Sequence, residues 1–273
     1  MPTLGRDRSG AVAVVTAASP GLGTTEAVVS DPGPGDSVGR GPPWRWWGAL
    51  GRELPSRAVR TDTVMFDVGG VVIVTPFEMA ARLEHHRGWA AGTLGLFGPF
   101  DPDRDPDWRL LCAGELDEDG YWQRQAERLA PMLGIDGDDP TLRLIEILFA
   151  PEHGEIVRPE VRGCISALHA AGIRTAVLSN HLHRFHQPHL LERLLARFDP
   201  IIDLSYAQVR KPDPRAFEAA LVRLGSPDPA AVIHVDDQPA HVAGAEKAGL
   251  RAVSFDPTDP AASFAAVLEA AGA

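Results

Sequence analysis

From residue 61 onward, apolar runs of strand length alternate with sequence of helical period, and few folds satisfy that alternation. The runs lie in "TDTVMFDVGGVVIV", where a strand is predicted over 63–74, and in "IRTAVLSN", "PIIDLSYA", "AAVIHVDD" and "RAVSF". Between them fall "EVRGCISALHAAG", an amphipathic stretch that stops at Gly172, and "HLHRFHQPHLLERLLARF", which Pro188 interrupts. "DPRAFEAALVRLG" and "PAHVAGAEKAGL" complete the set. Strands that read as near-continuous apolar runs are buried on both faces, the condition of a parallel sheet with helices above and below.

One block breaks the alternation. Straight after the first strand, residues 78–154 read as interrupted helix, most clearly in "EDGYWQRQAERLAPML" and "TLRLIEILFA". The expectation is an α/β protein with a Rossmann-like core over residues 61–77 and 155–273 and a helical cap inserted over 78–154. Residues 1–60 differ in kind: "SDPGPGDSVGRGPPWRWWGALGRELPSR" is rich in Gly and Pro and predicts a disordered or loosely packed extension. Within it, "GAVAVVTAASPGLGTTEA" resembles the first strand and glycine turn of short-chain dehydrogenases, with Gly21 and Gly23 at the turn. A dinucleotide site needs a helix and a second strand directly afterwards, and "SDPGPGD" breaks that helix. Trp44, Trp46 and Trp47 suit docking on a partner or on the protein's own core, and the second is the commoner use, since indole rings supply large buried area.

The net charge of −11 argues against a nucleic-acid partner, which requires a basic face. Small anionic substrates stay open, because one lysine or helix N-terminus acts locally inside an acidic protein. No apolar run approaches the roughly 18 residues of a membrane span. The patch "AVAVVTAA" imitates a signal peptide only weakly, being short and followed by linker-like sequence. Cys112 and Cys164 stand far apart and outside any metal-type pair, so a reducing, cytoplasmic location is expected. Oligomeric state is not readable.

Open parallel sheets bind ligands beyond the carboxyl ends of their strands. Asp67 ends the first strand, Ser179 and Asn180 end "TAVLSN", Asp236 and Asp237 end "VIHVDD", and Lys211 opens the turn "RKPDP". A nucleophile-capable carboxylate, a hydroxyl, a cation and a carboxylate pair thus converge on one edge. That set suits phosphoryl transfer, which needs an oxygen nucleophile, neutralised equatorial oxygens and usually magnesium. A carboxylate such as Asp67 can attack phosphorus to form an acyl-phosphate. Asp67 and Asp237 offer the hard oxygens that Mg2+ prefers. Ser179 and backbone N–H groups near Asn180 can donate to phosphate oxygens, and Lys211 can offset charge. Gly69 and Gly70 let the backbone turn sharply and approach the phosphate.

The order "FDVGGVV", "VLSN", "RKPDPRAFEAALVRLG", "VIHVDDQPAHVAGAEKAGL" resembles the four motifs of the haloacid dehalogenase (HAD) superfamily over about residues 61–256. The likeness is to the branch with a helical cap after the first strand, and "CAGELDEDGYWQRQAERL" resembles that branch's cap helix. The resemblance implies that Asp67 is nucleophile and metal ligand, with the Gly69 carbonyl and Asp237 as further ligands and Asp236 supporting through water. It also implies that Ser179 and Asn180 hold phosphate and that Lys211 is the stabilising lysine. The implied function is Mg2+-dependent hydrolysis of a small phosphorylated metabolite through an aspartyl-phosphate.

The chain departs from that pattern at Gly69, where the family's phosphatases usually carry the aspartate that serves as general acid and base. Such catalysis contributes typically ~10²–10⁴ in rate, so its loss weighs most on poor leaving groups. Two alternatives follow: a binding or scaffold protein with eroded catalysis, and a dehalogenase, since halide leaves without a proton. The adjacent carboxylates Asp236 and Asp237 favour a cation site over the second. His181, His183, His186 and His189 invite a transition-metal reading that Pro188 disrupts, and one of them, or His241, is a candidate for the missing proton donor. Glu78 is the cap residue expected nearest the site. The acidic runs "DPDRDPD" and "ELDEDG" are expected to form a solvated face.

Overall fold

The computed structural model describes residues 60–182 and 195–273. The N-terminal extension with Gly21, Gly23 and the three tryptophans lies outside the described residues, as do His183, His186, Pro188 and His189.

Five strands, β1 (Thr63–Phe66), β2 (Arg174–Ser179), β3 (Ile201–Asp203), β4 (Val232–Asp236) and β5 (Arg251–Ser254), form one sheet in the order β3-β2-β1-β4-β5. Every pairing is parallel, with Phe66 opposite Val177 on one side and Val235 on the other. β1, the earliest of the described strands, is therefore central, and its C-terminal end opens between those of β2 and β4.

Side chains alternate across each strand, and the two faces fill accordingly. Val64 and Phe66 join one buried cluster with Val161 and Ile165 of helix α5 (Glu160–Ala170) and with Phe264 and Val267 of the C-terminal helix. Met65 points the other way, into a cluster with Phe217, Ala220 and Ala245. These belong to α6 (Pro214–Arg223) and α7 (Pro239–Lys247), and the C-terminal helix is α8 (Pro260–Ala271).

Between β1 and β2 stand α1 (Pro76–His86), α2 (Pro106–Ala113), α3 (Glu118–Leu133) and α4 (Pro140–Leu148). Their starts are written locally. Thr75 caps α1 in a reciprocal box with Glu78, while Asp105, Asp117 and Asp139 accept from the first-turn amides of α2, α3 and α4. Aromatic edge-to-face contacts of Phe77, Trp108, Tyr121 and Trp122 join α1 to α2 and α3.

The predicted strand over 63–74 is shorter than expected. It ends at Phe66, and Val68–Val72 form a tight turn closed by Ile73 N–H to the Val68 carbonyl at 2.9 Å. Gly70 has φ +78°, a left-handed conformation that ends extended pairing. Ile73 then makes only an isolated antiparallel bridge to Val157. The chain leaves for α1 and returns to α5 side by side at this bridge, with Val74 N–H bonded to the Ile156 carbonyl and Arg158 N–H to the Val72 carbonyl.

Candidate active site

The backbone of Asp67 is set by the sheet: its N–H donates to the Val235 carbonyl, so the carboxylate begins where β1 ends. Lys211 reaches it from the loop after β3, its Nζ lying 2.9 Å from Asp67 Oδ1 and 2.6 Å from Asp236 Oδ2. The lysine is held at its peptide by Asn180, whose Nδ2 donates to the Lys211 carbonyl and whose Oδ1 accepts from Lys211 N–H, both at 3.0 Å. The Asn180 side chain is thus committed to placing Lys211.

Asp236, wholly buried, accepts four hydrogen bonds. Lys211 Nζ and His234 Nε2 meet Oδ2 at 2.6 and 2.9 Å, and Gln238 N–H and His241 Nδ1 meet Oδ1, each at 3.0 Å. A carboxylate offers about four lone-pair positions, so these partners saturate it. Burial opposes its charge, but His241, Lys211 and the His234 hydrogen bond outweigh burial and hold its pKa well below the usual carboxylate range.

Asp237 faces the opposite situation. Burial raises its carboxyl well above the ordinary range, and the charges of Asp236, Asp67 and Glu118 raise it further against a weaker pull from Lys211. Asp67 is also raised by burial, with Lys211 pulling the other way. Lys211 is itself held protonated: burial disfavours its charge, but Asp236 and Asp67 favour it more. Asp67, Asp236 and Asp237 bring one oxygen each within 4.8 Å of one another. Negative charge exceeds positive at this point, and a hard divalent cation would relieve the imbalance. The turn makes room for the arrangement, since a Cβ at Gly70 would run into the Asp237 carboxylate. The residues present therefore fit a hard divalent cation such as Mg2+, which Asp67 and Asp237 would hold, their oxygens not being saturated as those of Asp236 are.

A cavity of about 70 Å³ lies over this edge. Its floor includes Asp67, Gly69, Gly70, Ser179, Asn180 and Lys211, with His181, Asp237 and His241 beside them. Its roof is apolar, built from Phe77, Trp108, Leu111, Trp122 and Ile145, with Glu118 the one acid that α3 contributes to the lining. Asp67, Gly69, Gly70, Ser179, Asn180, Lys211 and Asp237 thus meet in one place, with Asp236 joined to them through Lys211.

Several local expectations need correction. Glu78 does not line the cavity; it caps α1 and pairs with Arg158, whose Nη2 lies 2.8 Å from Oε2. The first acidic run is not wholly solvated, because buried Asp105 accepts from Gly98 N–H, Trp108 N–H and the Tyr121 hydroxyl. In the second run, Glu118 enters the cavity lining and Asp119 pairs with Arg210 at 3.1 Å.

Two supports carried no signal in the sequence. Arg158, 2% exposed, donates Nε to the Gly70 carbonyl at 3.0 Å while gripping Glu78, so it braces the turn that follows Asp67. Its partners lie 80 and 88 residues away, beyond any local pattern. His234 reads as one polar residue in an apolar strand, yet it spans the Met65 carbonyl and Asp236.

Comparison with known proteins agrees with this geometry. A family model described as haloacid dehalogenase-like hydrolase matches residues 61–249. Mouse "Acyl-CoA dehydrogenase family member 10" is 26% identical over 193 residues, which cover 71% of this chain but 18% of that protein. A "Phosphoglycolate phosphatase" of Pseudomonas syringae pv. tomato is 27% identical over 210 residues, 76% of this chain and 66% of the relative. The chain therefore spans less than two thirds of either curated relative. Among solved structures, the HAD-hydrolase YfnB from Bacillus subtilis bound to magnesium superposes with a TM-score of 0.53 at 17% identity, covering 72% of this chain and 87% of that one.

Proposed function

The chain belongs to the haloacid dehalogenase-like hydrolases, and on that premise we propose that it is a Mg2+-dependent phosphatase acting on a small phosphorylated metabolite. Asp67 is the proposed nucleophile. Its carboxylate attacks phosphorus in line with the leaving oxygen, giving an aspartyl-phosphate that water then hydrolyses. Ser179 and the backbone N–H groups near Asn180 bind the phosphoryl oxygens, and Lys211 holds Asp67 in position and offsets developing charge. Asp67, Asp237 and the Gly69 carbonyl would hold Mg2+, which when bound would supply charge neutralisation at the phosphoryl group. Asp236, saturated by its four donors, is assigned to anchoring Lys211.

The observation that carries this reading is the crowding of the Asp67, Asp236 and Asp237 carboxylates around Lys211, beside the left-handed Gly70. Displacement of a halide by a carboxylate has no use for it. The helices over 78–154 act as the cap in this reading, and their apolar roof excludes water from the reaction. Cys112 and Cys164 are both free thiols, which suits a cytoplasmic location. No described helix is long and apolar enough to cross a membrane.

The test is a screen of phosphate esters with Mg2+, including activated acyl and anomeric phosphates. Wild type turns over at least one; Asp67→Asn and EDTA each abolish the activity. Activity that survives either treatment removes the mechanism, and no turnover of any phosphate favours the scaffold alternative.

A further inference from the structure

The proposed mechanism leaves the leaving-group oxygen without a proton, because position 69 has no side chain. Among the described residues that line the cavity, His181 is suited to supply it. His181 follows Ser179 and Asn180 at the end of β2, where its N–H contacts Ser179 Oγ at 3.4 Å. Its ring is buried, 8% exposed as a side chain, and lines the same cavity as Asp67. Imidazole Nε2 lies 3.4 Å from Asp119 Oδ1 and 3.9 Å from Glu118 Oε2, two carboxylates in the first turn of α3. These are ion-pair distances, and two adjacent anions favour the imidazolium. His241, the other candidate, has Nδ1 bound to Asp236 and belongs to the network that fixes Lys211.

We propose that His181 is the proton donor to the leaving group, standing in for the acid that Gly69 lacks, with Glu118 and Asp119 keeping it charged. This rests on the phosphatase reading. In the first step an Asp67 oxygen bonds to phosphorus, the bond from phosphorus to the leaving oxygen breaks, and the imidazolium proton passes to that oxygen. Products are an alcohol, the aspartyl-phosphate and neutral imidazole. In the second step water bonds to phosphorus, the imidazole takes the water proton, and the bond from phosphorus to the Asp67 oxygen breaks. Among the described residues, the titratable and charged groups that face or neighbour the ring include Glu118 and Asp119 from α3, Arg210 through Asp119, and Asp67, Lys211, Asp237 and His241 in the same cavity.

The test uses phosphate monoesters graded in leaving-group acidity, from ethyl to p-nitrophenyl phosphate, with full-length protein and Mg2+. His181→Gln is expected to lower kcat/KM for ethyl phosphate by about 10²–10⁴ and to leave p-nitrophenyl phosphate within about tenfold. The ratio between the two esters, measured on one preparation, does not depend on how much of the variant is folded. The wild-type rate on the alkyl ester falls at alkaline pH as the imidazolium is lost, and that limb disappears in His181→Gln. Adding Gly69→Asp to His181→Gln restores alkyl-ester hydrolysis, because the backbone there (φ −67°, ψ 129°) accepts any residue. Equal losses on both esters, or no loss on either, overturn the role of His181 and leave the phosphatase reading intact. No turnover by wild type of these esters or of any phosphate in the wider screen, at any pH, overturns both.

Discussion

Replacing Lys211 by Met keeps the length of the side chain and removes its charge from between two buried carboxylates. The ammonium sits 2.9 Å from Asp67 and 2.6 Å from Asp236, with its side chain wholly buried. Removing one partner of a buried pair leaves uncompensated charge and costs about 3–5 kcal/mol. At roughly 2–4 °C per kcal/mol for a domain of this size, the melting temperature falls by about 6–20 °C. The loss depends on pH in a definite direction. Asp236 has its pKa depressed in the folded protein, so its stabilisation is present above the unfolded value and is lost as pH falls through the folded one. Without Lys211 the carboxyls rise and take up protons as pH falls from neutrality, which relieves the folded variant. The difference between wild type and Lys211→Met is therefore greatest near neutral pH and narrows on acidification. Urea denaturation at several pH values measures it. A difference below about 1 kcal/mol at neutral pH, or one that widens on acidification, refutes the assignment of Lys211 as the counter-charge.

Gly70→Ala places a Cβ against the Asp237 carboxylate at a left-handed position, so stability falls by roughly 1–3 kcal/mol and calorimetric Mg2+ affinity drops together with it; unchanged Mg2+ binding contradicts the cradle. Arg158→Met strands Glu78 and frees the Gly70 carbonyl, costing about 3–5 kcal/mol in urea denaturation. Arg158→Lys recovers only part of that loss, since an ammonium cannot reproduce the fork to both Glu78 oxygens.

The sheet and the carboxyl edge that gathers the candidate site were legible in the sequence because both are local. A strand-length apolar run ending on Asp67, Ser179 or Asp236 states its own element and its own exit, and parallel topology does the rest. The same reading overran the first strand, because Val71, Val72 and Ile73 look like strand while Gly70 alone decides the turn. What pattern does not show is which acid points where. Glu78 and Glu118 are both early-helix glutamates, yet a partner 80 residues away turns the first aside and the second faces the cavity. Asp105 likewise sits in a run that composition marks as solvated, but the Tyr121 hydroxyl, the Gly98 amide and the first-turn amide of Trp108 draw it inside. The Arg158 contact to Glu78 spans 80 residues and the Tyr121 contact to Asp105 spans 16, separations that a helical or strand period does not encode.

The central claim is a covalent intermediate on Asp67. Wild-type protein mixed with a phosphate ester and Mg2+, then quenched in acid within one turnover, is digested and its peptides weighed. The peptide containing Asp67 is predicted to gain the mass of one phosphoryl group, to lose it on treatment with hydroxylamine, and to gain nothing in Asp67→Asn. Turnover of the ester with no adduct on that peptide, and with Asp67→Asn still active, would contradict the account.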